Sequence, residues 1–187
     1  MALAHILLVS GSLRDGSTNS ALLRTAAAVA PEGVSTALYE GLAGLPHFNP
    51  DDDEEGMEIP PPAAAMRAQL GRADAVLFST PEYAGALPGS LKNMLEWTVG
   101  GHEIYGVPAA WVNPAAPGRG VNADDSLRKV RGYLGADLVE DACVRIPVAG
   151  DSIGPDGLIA DSEPRSRLAT VFETLAAHVA RSARSPD

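Results

Sequence analysis

Residues 11–20 read Gly-Ser-Leu-Arg-Asp-Gly-Ser-Thr-Asn-Ser, between a short apolar run and a helical stretch rich in alanine. The hydroxyls of Ser12, Ser17, Thr18 and Ser20, the amide of Asn19 and the guanidinium of Arg14 are concentrated where a helix would present its free N–H groups. Short donors, glycines that let the backbone approach closely and the positive end of a helix dipole are what a phosphate requires. The dipole contributes roughly 0.3–1 kcal/mol, or ~2 when partly buried, so hydrogen bonds from the hydroxyls and Arg14 must add to it. The stretch lacks Gly-x-x-x-x-Gly-Lys-[Ser/Thr] and Gly-x-Gly-x-x-Gly, which argues against a nucleoside-triphosphate loop and a Rossmann site. A cup of hydroxyls suits one terminal phosphate better than a pyrophosphate. The plainer reading is a polar turn capped by Ser17 or Asn19.

Other residues that could do chemistry are sparse. Cys143 is the sole cysteine, so no intrachain disulfide or cysteine-rich metal cluster forms. It lies in the apolar run 142–148 and reads as a small buried side chain. The four histidines, at 5, 47, 102 and 178, share no spacing suited to a metal. The acidic run Asp51–Glu55 lacks the ligand alternation and glycine of a calcium loop, and reads as solvated. A net charge of −10 disfavours nucleic acid and anionic membranes as partners. No stretch approaches the ~20 apolar residues of a membrane span. No cationic segment precedes an apolar block at the N-terminus, so a soluble cytoplasmic protein is expected.

The elements that must position the first loop alternate strand and helix. Apolar runs at 5–10, 75–80, 107–112 and 142–148 read as buried strands, and the more polar 34–39 as an edge strand. Helices are expected at about 18–30, 62–70, behind Ser90 as cap, from Asn122 to Gly135, and from Ser162. Leu91, Met94, Leu95 and Thr98 share one helical spacing, as do Leu127, Val130 and Leu134, and Leu168, Val171, Phe172, Leu175 and Val179. Residues 41–62 form the longest irregular connection. Strands alternating with helices imply right-handed βαβ units and a parallel sheet, with any ligand outside the carboxyl ends of the strands.

Residues 81–97, Pro-Glu-Tyr-Ala-Gly-Ala-Leu-Pro-Gly-Ser-Leu-Lys-Asn-Met-Leu-Glu-Trp, follow the third strand. Together with Gly-Ser-x-Arg-x-x-Ser-x-Asn, this segment resembles the NADPH-dependent FMN reductase family, which includes azo, quinone and chromate reductases. The resemblance extends from Ile6 to about His178. It implies one flavodoxin-like domain over residues 1–187, a three-layer sandwich around a five-stranded parallel sheet of order 2-1-3-4-5. It also implies FMN as cofactor and NADPH or NADH as co-substrate. Carried over, Ser12, Arg14, Ser17, Asn19 and Ser20 hold the FMN phosphate. Pro81, Glu82, Tyr83, Ala84 and Gly85 border the ring, and Asn113, Pro114 and Gly118 of the third loop lie on its far side. The family usually has Asn where this chain has Ala84, and a Ser- and Gly-rich third loop where this chain reads Asn-Pro-Ala-Ala-Pro-Gly-Arg-Gly.

The expected function is electron transfer from NAD(P)H to flavin, quinone, azo or metal-oxyanion acceptors in a ping-pong cycle. Hydride transfer to a flavin needs no protein acid or base, so no catalytic residue and no metal are assigned. Tyr83 suits stacking on a substrate or packing at a subunit contact, Trp97 packing, and Glu82 anchoring of its loop or of a neighbouring subunit. Arg119 suits either a 2′-phosphate or plain solvation. A homodimer or homotetramer is expected, with the helices around 91–97 and 122–134 facing a partner. The alternatives are a flavodoxin-type electron carrier and a flavin-free binding domain on the same fold.

Overall fold

The computed structural model describes residues 4–54 and 56–182. Six strands and five helices are present among them: β1 (Ala4–Ser10), α1 (Thr18–Ala28), β2 (Val34–Tyr39), α2 (Pro61–Leu70), β3 (Ala75–Ser79), α3 (Gly89–Glu96), β4 (Pro108–Asn113), α4 (Val121–Leu134), β5 (Asp137–Leu138), β6 (Val144–Arg145) and α5 (Ser162–Ser182). The strands are parallel, in the order β2-β1-β3-β4-β5, and β6 also pairs with β4. This is the expected flavodoxin-like order, with helices on both faces. No helix among the described residues is long and apolar enough to cross a membrane.

The central strands are apolar throughout because both of their faces are covered. Leu7, Val9, Val76, Phe78, Ala109 and Trp111 point to one side, against α2, α3 and α4. Ile6, Leu8, Ala75, Leu77, Ala110 and Val112 point to the other, against α1 and α5. The stripe Leu168, Val171, Phe172 and Leu175 is buried as its spacing requires.

Three expectations are corrected. The fifth strand is not one run over 142–148. Its place is shared by β5 and β6, separated by a tight turn at Glu140–Ala142. An edge strand pairs on one side only, and here Glu140 is drawn out to the guanidinium of Arg128. Ser90 does not cap α3: the N-cap is Pro88, no side-chain cap bond forms, and Ser90 lies inside the first turn. Nor is the acidic run wholly solvated. Asp53 turns inward onto Arg67 at 2.6 Å, whereas Asp51 and Asp52 are exposed and Glu55 lies outside the described residues.

That ion pair belongs to a clamp on the long β2–α2 connection. Arg67 also donates from Nε to the Trp97 carbonyl at 2.6 Å. Pro46 O accepts from Asn93 Nδ2 at 2.9 Å and from Trp97 Nε1 at 2.8 Å, and Phe48 N donates to Asn93 Oδ1 at 2.8 Å. Trp97 therefore packs, edge-on to Phe48. The side chains of Asn93 and Trp97 hold this connection against α3, the helix that follows the Pro-Glu-Tyr loop.

Candidate active site

Three loops leave the carboxyl edge of the sheet side by side, because β1, β3 and β4 are neighbours. Gly11 N donates to Ser79 O at 2.8 Å, joining the start of the first loop to the end of β3. A Cβ on Gly11 would lie 2.3 Å from Thr80 Oγ1 and 2.9 Å from Leu91 Cδ2. Only a residue without a side chain permits this approach.

The first loop turns through a Ser17 N to Arg14 O bond of 3.2 Å, with Gly16 at φ +64, and delivers the N-terminus of α1. Ser17 is the N-cap, yet its hydroxyl makes no capping bond. The leading amides of α1 have no intrahelical acceptor, so an anion at this place would complete them. Asn19 Oδ1 accepts from Ser79 Oγ at 3.0 Å, the Ser20 and Ser10 hydroxyls are 2.9 Å apart, and Ser12 Oγ accepts from Arg14 N at 3.3 Å. These bonds order the loop and leave the remaining valences of each group for a ligand.

The donors do not all face one space. Asn19, with Thr18, opens onto a cavity of about 350 Å³ between the three loops. Ser12, Arg14 and Ser20 line a second cavity of about 310 Å³ on the β2 side. Ser17 is buried at the N-cap and lines neither.

In the second loop, Tyr83 and Ala86 exchange hydrogen bonds of 3.0 and 3.1 Å, closing a two-residue turn. Both turn residues have positive φ, Ala84 at +50 and Gly85 at +75. Such turns favour Asn-Gly, since Asn tolerates the left-handed region and Ala does not. An Asn at this position is thus explained by backbone conformation, without any side-chain contact to a ligand. Ala84→Asn is expected to raise stability by roughly 0.5–1 kcal/mol, read as a higher urea midpoint. A midpoint at or below that of the parent would show the turn to be unstrained. Pro81 and Glu82 line the larger cavity, whereas Tyr83, Ala84 and Gly85 form its exposed shoulder.

The carboxylate of Glu82 accepts from Asn122 N and Asn122 Nδ2, both at 3.0 Å. It caps α4 from the second loop and ties the second and third loops together. The Asn122 side-chain amide, followed by the backbone N–H groups there, holds the Glu82 carboxyl below the usual carboxylate range. The tether is therefore intact above the ordinary carboxyl pKa and is lost as pH falls through the lowered one.

Asn113 staples the third loop. Its Oδ1 accepts from Ala115 N at 2.9 Å, and its Nδ2 donates to Gly120 O at 3.1 Å and to Asp124 Oδ1 at 2.7 Å. Arg145, from β6, donates to Asp124 Oδ2 and to the Arg119 carbonyl, each at 2.5 Å. Asn113, Pro114, Arg119 and Gly120 line the larger cavity, while Gly118 sits exposed on the crown of the loop. Thr80 and Gly120 were not singled out in the sequence, and Thr18 entered only as one of the first loop's hydroxyls. Thr80 had one available signal, its place between β3 and Pro81, whereas Gly120 is placed by the closure through Asn113. Burial pushes the Cys143 thiol up to about 11, so it is no thiolate nucleophile at neutral pH.

Fold and site together define a flavodoxin-like α/β protein with an uncapped helix N-terminus between its strand-end loops. The donor set, hydroxyls and uncapped helical amides with an arginine nearby, fits the phosphate of a flavin mononucleotide. The sequence model of the NADPH-dependent FMN reductase family matches residues 4–151. The chain is 33% identical over 179 residues to an NAD(P)H-dependent FMN reductase of Pseudomonas aeruginosa, covering 94% of this chain and 95% of that one. It is 33% identical over 178 residues to a 2-hydroxy-1,4-benzoquinone reductase of a Burkholderia species, covering 93% and 95%. In fold it is similar to the flavoenzyme FerB of Paracoccus denitrificans, an NAD(P)H:acceptor oxidoreductase, with a TM-score of 0.74 at 24% identity over 95% and 98% of the two chains. The chain belongs to the NADPH-dependent FMN reductase family. It is an oxidoreductase that uses FMN, with NAD(P)H as co-substrate.

Proposed function

We propose that the chain is a single FMN-binding domain that passes electrons from NAD(P)H to small-molecule acceptors, quinones foremost, through one open face of the bound ring. The observation that carries this reading is the cavity of about 350 Å³ that gathers the N-terminus of α1 and the ends of β3 and β4 in one place. In this reading the phosphate sits at the first turn of α1, where Ser17 is the N-cap and Asn19 faces the flavin cavity, and Ser12, Arg14 and Ser20 approach it from the neighbouring cavity. Pro81 to Gly85 border one side of the ring, and Asn113, Pro114 and Gly118 belong to the loop on the other.

Bound FMN would supply the two-electron redox chemistry between nicotinamide and acceptor. The residues of the chain bind and orient. Gly11 sets the spacing of the first two loops, Glu82 joins the second to α4, and Asn113 keeps the third closed. With one ring face available, co-substrate and acceptor occupy it in alternation, which is a ping-pong cycle. Free flavin, azo compounds and metal oxyanions fit the same open geometry. The quinone preference is supported by the benzoquinone reductase among the relatives.

Stopped-flow mixing of the FMN-loaded protein with NADPH is expected to bleach the flavin absorbance, and a quinone to restore it. A flavin that stays oxidised with either nicotinamide would instead indicate an electron carrier. Arg14→Ala is expected to weaken FMN binding by roughly 1.5–3 kcal/mol, the worth of a charge-assisted hydrogen bond. Equal affinities in a fluorescence titration would remove Arg14 from the phosphate.

We further infer a homodimer or homotetramer, located in the cytoplasm where the nicotinamide pool resides. An apolar groove of about 270 Å³ runs between α3 and α4, floored by Leu95, Val130 and Leu134. Tyr133, 85% exposed, and Val99, 62% exposed, flank it, with Lys92, Glu96 and Lys129 at the rim. An apolar stripe rimmed by both signs of charge suits a second copy of itself across a two-fold axis. Tyr133→Asp is expected to shift the mass measured by light scattering at micromolar concentration towards that of the monomer. A parent protein already monomeric there would refute the assembly.

A further inference from the structure

The second cavity, on the β2 side of the first loop, is not used by a ring lying between the second and third loops. At about 310 Å³ it is worth some ten water molecules, at ~30 Å³ each, far more than one phosphoryl group fills. Arg14 and Arg24, the latter four residues beyond Ser20 on α1, both line it. Neither forms an ion pair among the described residues. Tyr39 also lines the cavity. It is only 7% exposed, and its hydroxyl has no hydrogen-bond partner among the described residues. Burial pushes that phenol up to about 12, so it remains a donor at neutral pH. Leu13 and Leu42 give the walls apolar surface, and Asp15 and Glu40 place carboxylates there as well.

Those groups match the parts of an adenosine phosphate. Guanidinium groups and a phenol O–H recognise a phosphoryl group. Apolar walls receive a base. A carboxylate accepts from ribose hydroxyls, as in dinucleotide sites generally, and it also moderates the local positive charge. Position adds to chemistry. Consecutive residues Asn19 and Ser20 face the two cavities, so a phosphate at the first turn of α1 has the flavin ring's cavity on one side and this one on the other.

We propose that this second cavity is an adenosine-phosphate subsite, continuous with the phosphate end of the flavin site, that receives the adenylyl half of a dinucleotide. It rests on the placement of the FMN phosphate given above. FAD carries an adenylyl group attached directly beyond its flavin phosphate, and NADPH carries one with a further 2′-phosphate. Arg24 and Tyr39 are the residues that distinguish this subsite from the flavin phosphate cup.

The test is equilibrium titration of apo-protein with FMN and FAD by quenching of flavin fluorescence, for the parent, Arg24→Ala and Arg24→Lys. Calorimetric titration of the apo- and FMN-loaded forms with 5′-AMP and 2′,5′-ADP runs beside it. If the subsite takes FAD, Arg24→Ala weakens FAD about 10- to 100-fold, Arg24→Lys restores part of the loss, and FMN affinity changes less than twofold. If it takes the nicotinamide co-substrate, FAD is unaffected while 2′,5′-ADP binds the FMN-loaded parent and is lost in Arg24→Ala. Either result supports the subsite and names its source. If no adenosine compound distinguishes the parent from Arg24→Ala, the subsite does not exist. A parent that binds neither FMN nor FAD contradicts the flavin reading itself. In that event 2′,5′-ADP binding to the apo-protein still decides the cavity: binding that depends on Arg24 keeps it, and its absence dismisses it.

Discussion

Asp53→Ala is expected to destabilise the protein by about 3–5 kcal/mol, the cost of leaving a buried charge without its partner. The side chains of Arg67 and Asp53 are only 7% and 6% exposed, and the pair is made at 2.6 Å. Truncating Asp53 strands a guanidinium that is already committed through Nε to the Trp97 carbonyl. Arg67 therefore cannot swing out to water without also giving up that bond. At ~2–4 °C per kcal/mol for a domain of this size, the thermal midpoint should fall by roughly 6–20 °C. Asp53→Asn keeps an acceptor and should fall less. The site should feel the change too, because this pair helps hold the β2–α2 connection on α3, just behind the Pro-Glu-Tyr loop. Midpoints equal to the parent's in both variants would show that the pair is not sealed from solvent.

Gly11→Ala is expected to cost about 1–3 kcal/mol by overpacking and to weaken FMN at least tenfold. The new Cβ would lie 2.3 Å from Thr80 Oγ1, 2.8 Å from Thr80 Cβ and 2.9 Å from Leu91 Cδ2. The crowding comes from two directions, so turning the threonine relieves only part of it. The first loop must then move away from the end of β3, straining the Gly11 N to Ser79 O bond. Thr80 lines the larger cavity and the first loop carries the donors proposed for the phosphate, so on that proposal their separation spoils both ends of the flavin site. FMN titration and urea unfolding of the same variant separate the two losses. An affinity within twofold of the parent's would show the spacing of the loops to be slack.

Much of this was legible in the residues because it depends on local pattern. Apolar runs bounded by Gly and Pro marked β1, β3 and β4, and the helical stripes marked α3, α4 and α5, since burial on one or both faces dictates periodicity. The polar first loop was legible because its hydroxyls, amide and guanidinium stand in consecutive residues. The split edge strand was not: Val144 and Arg145 pair with β4 while Glu140 leaves for Arg128, a choice made by contacts distant in sequence. The inward turn of Asp53 was hidden for the same reason, since nothing beside it announces Arg67.

By itself, then, the chain determined the alternation of strands and helices, the strand-end loops and the polar donors gathered in the first of them. Those follow from propensity, periodicity and the placing of Gly and Pro. Tertiary structure alone decided that the first-loop donors divide between two cavities, that Asn113 spends its amide closing the third loop, and that Glu82 caps a helix forty residues away. The physical reason is reach: a side chain chooses its partner by proximity in the folded sheet edge, and that proximity is set by strand order.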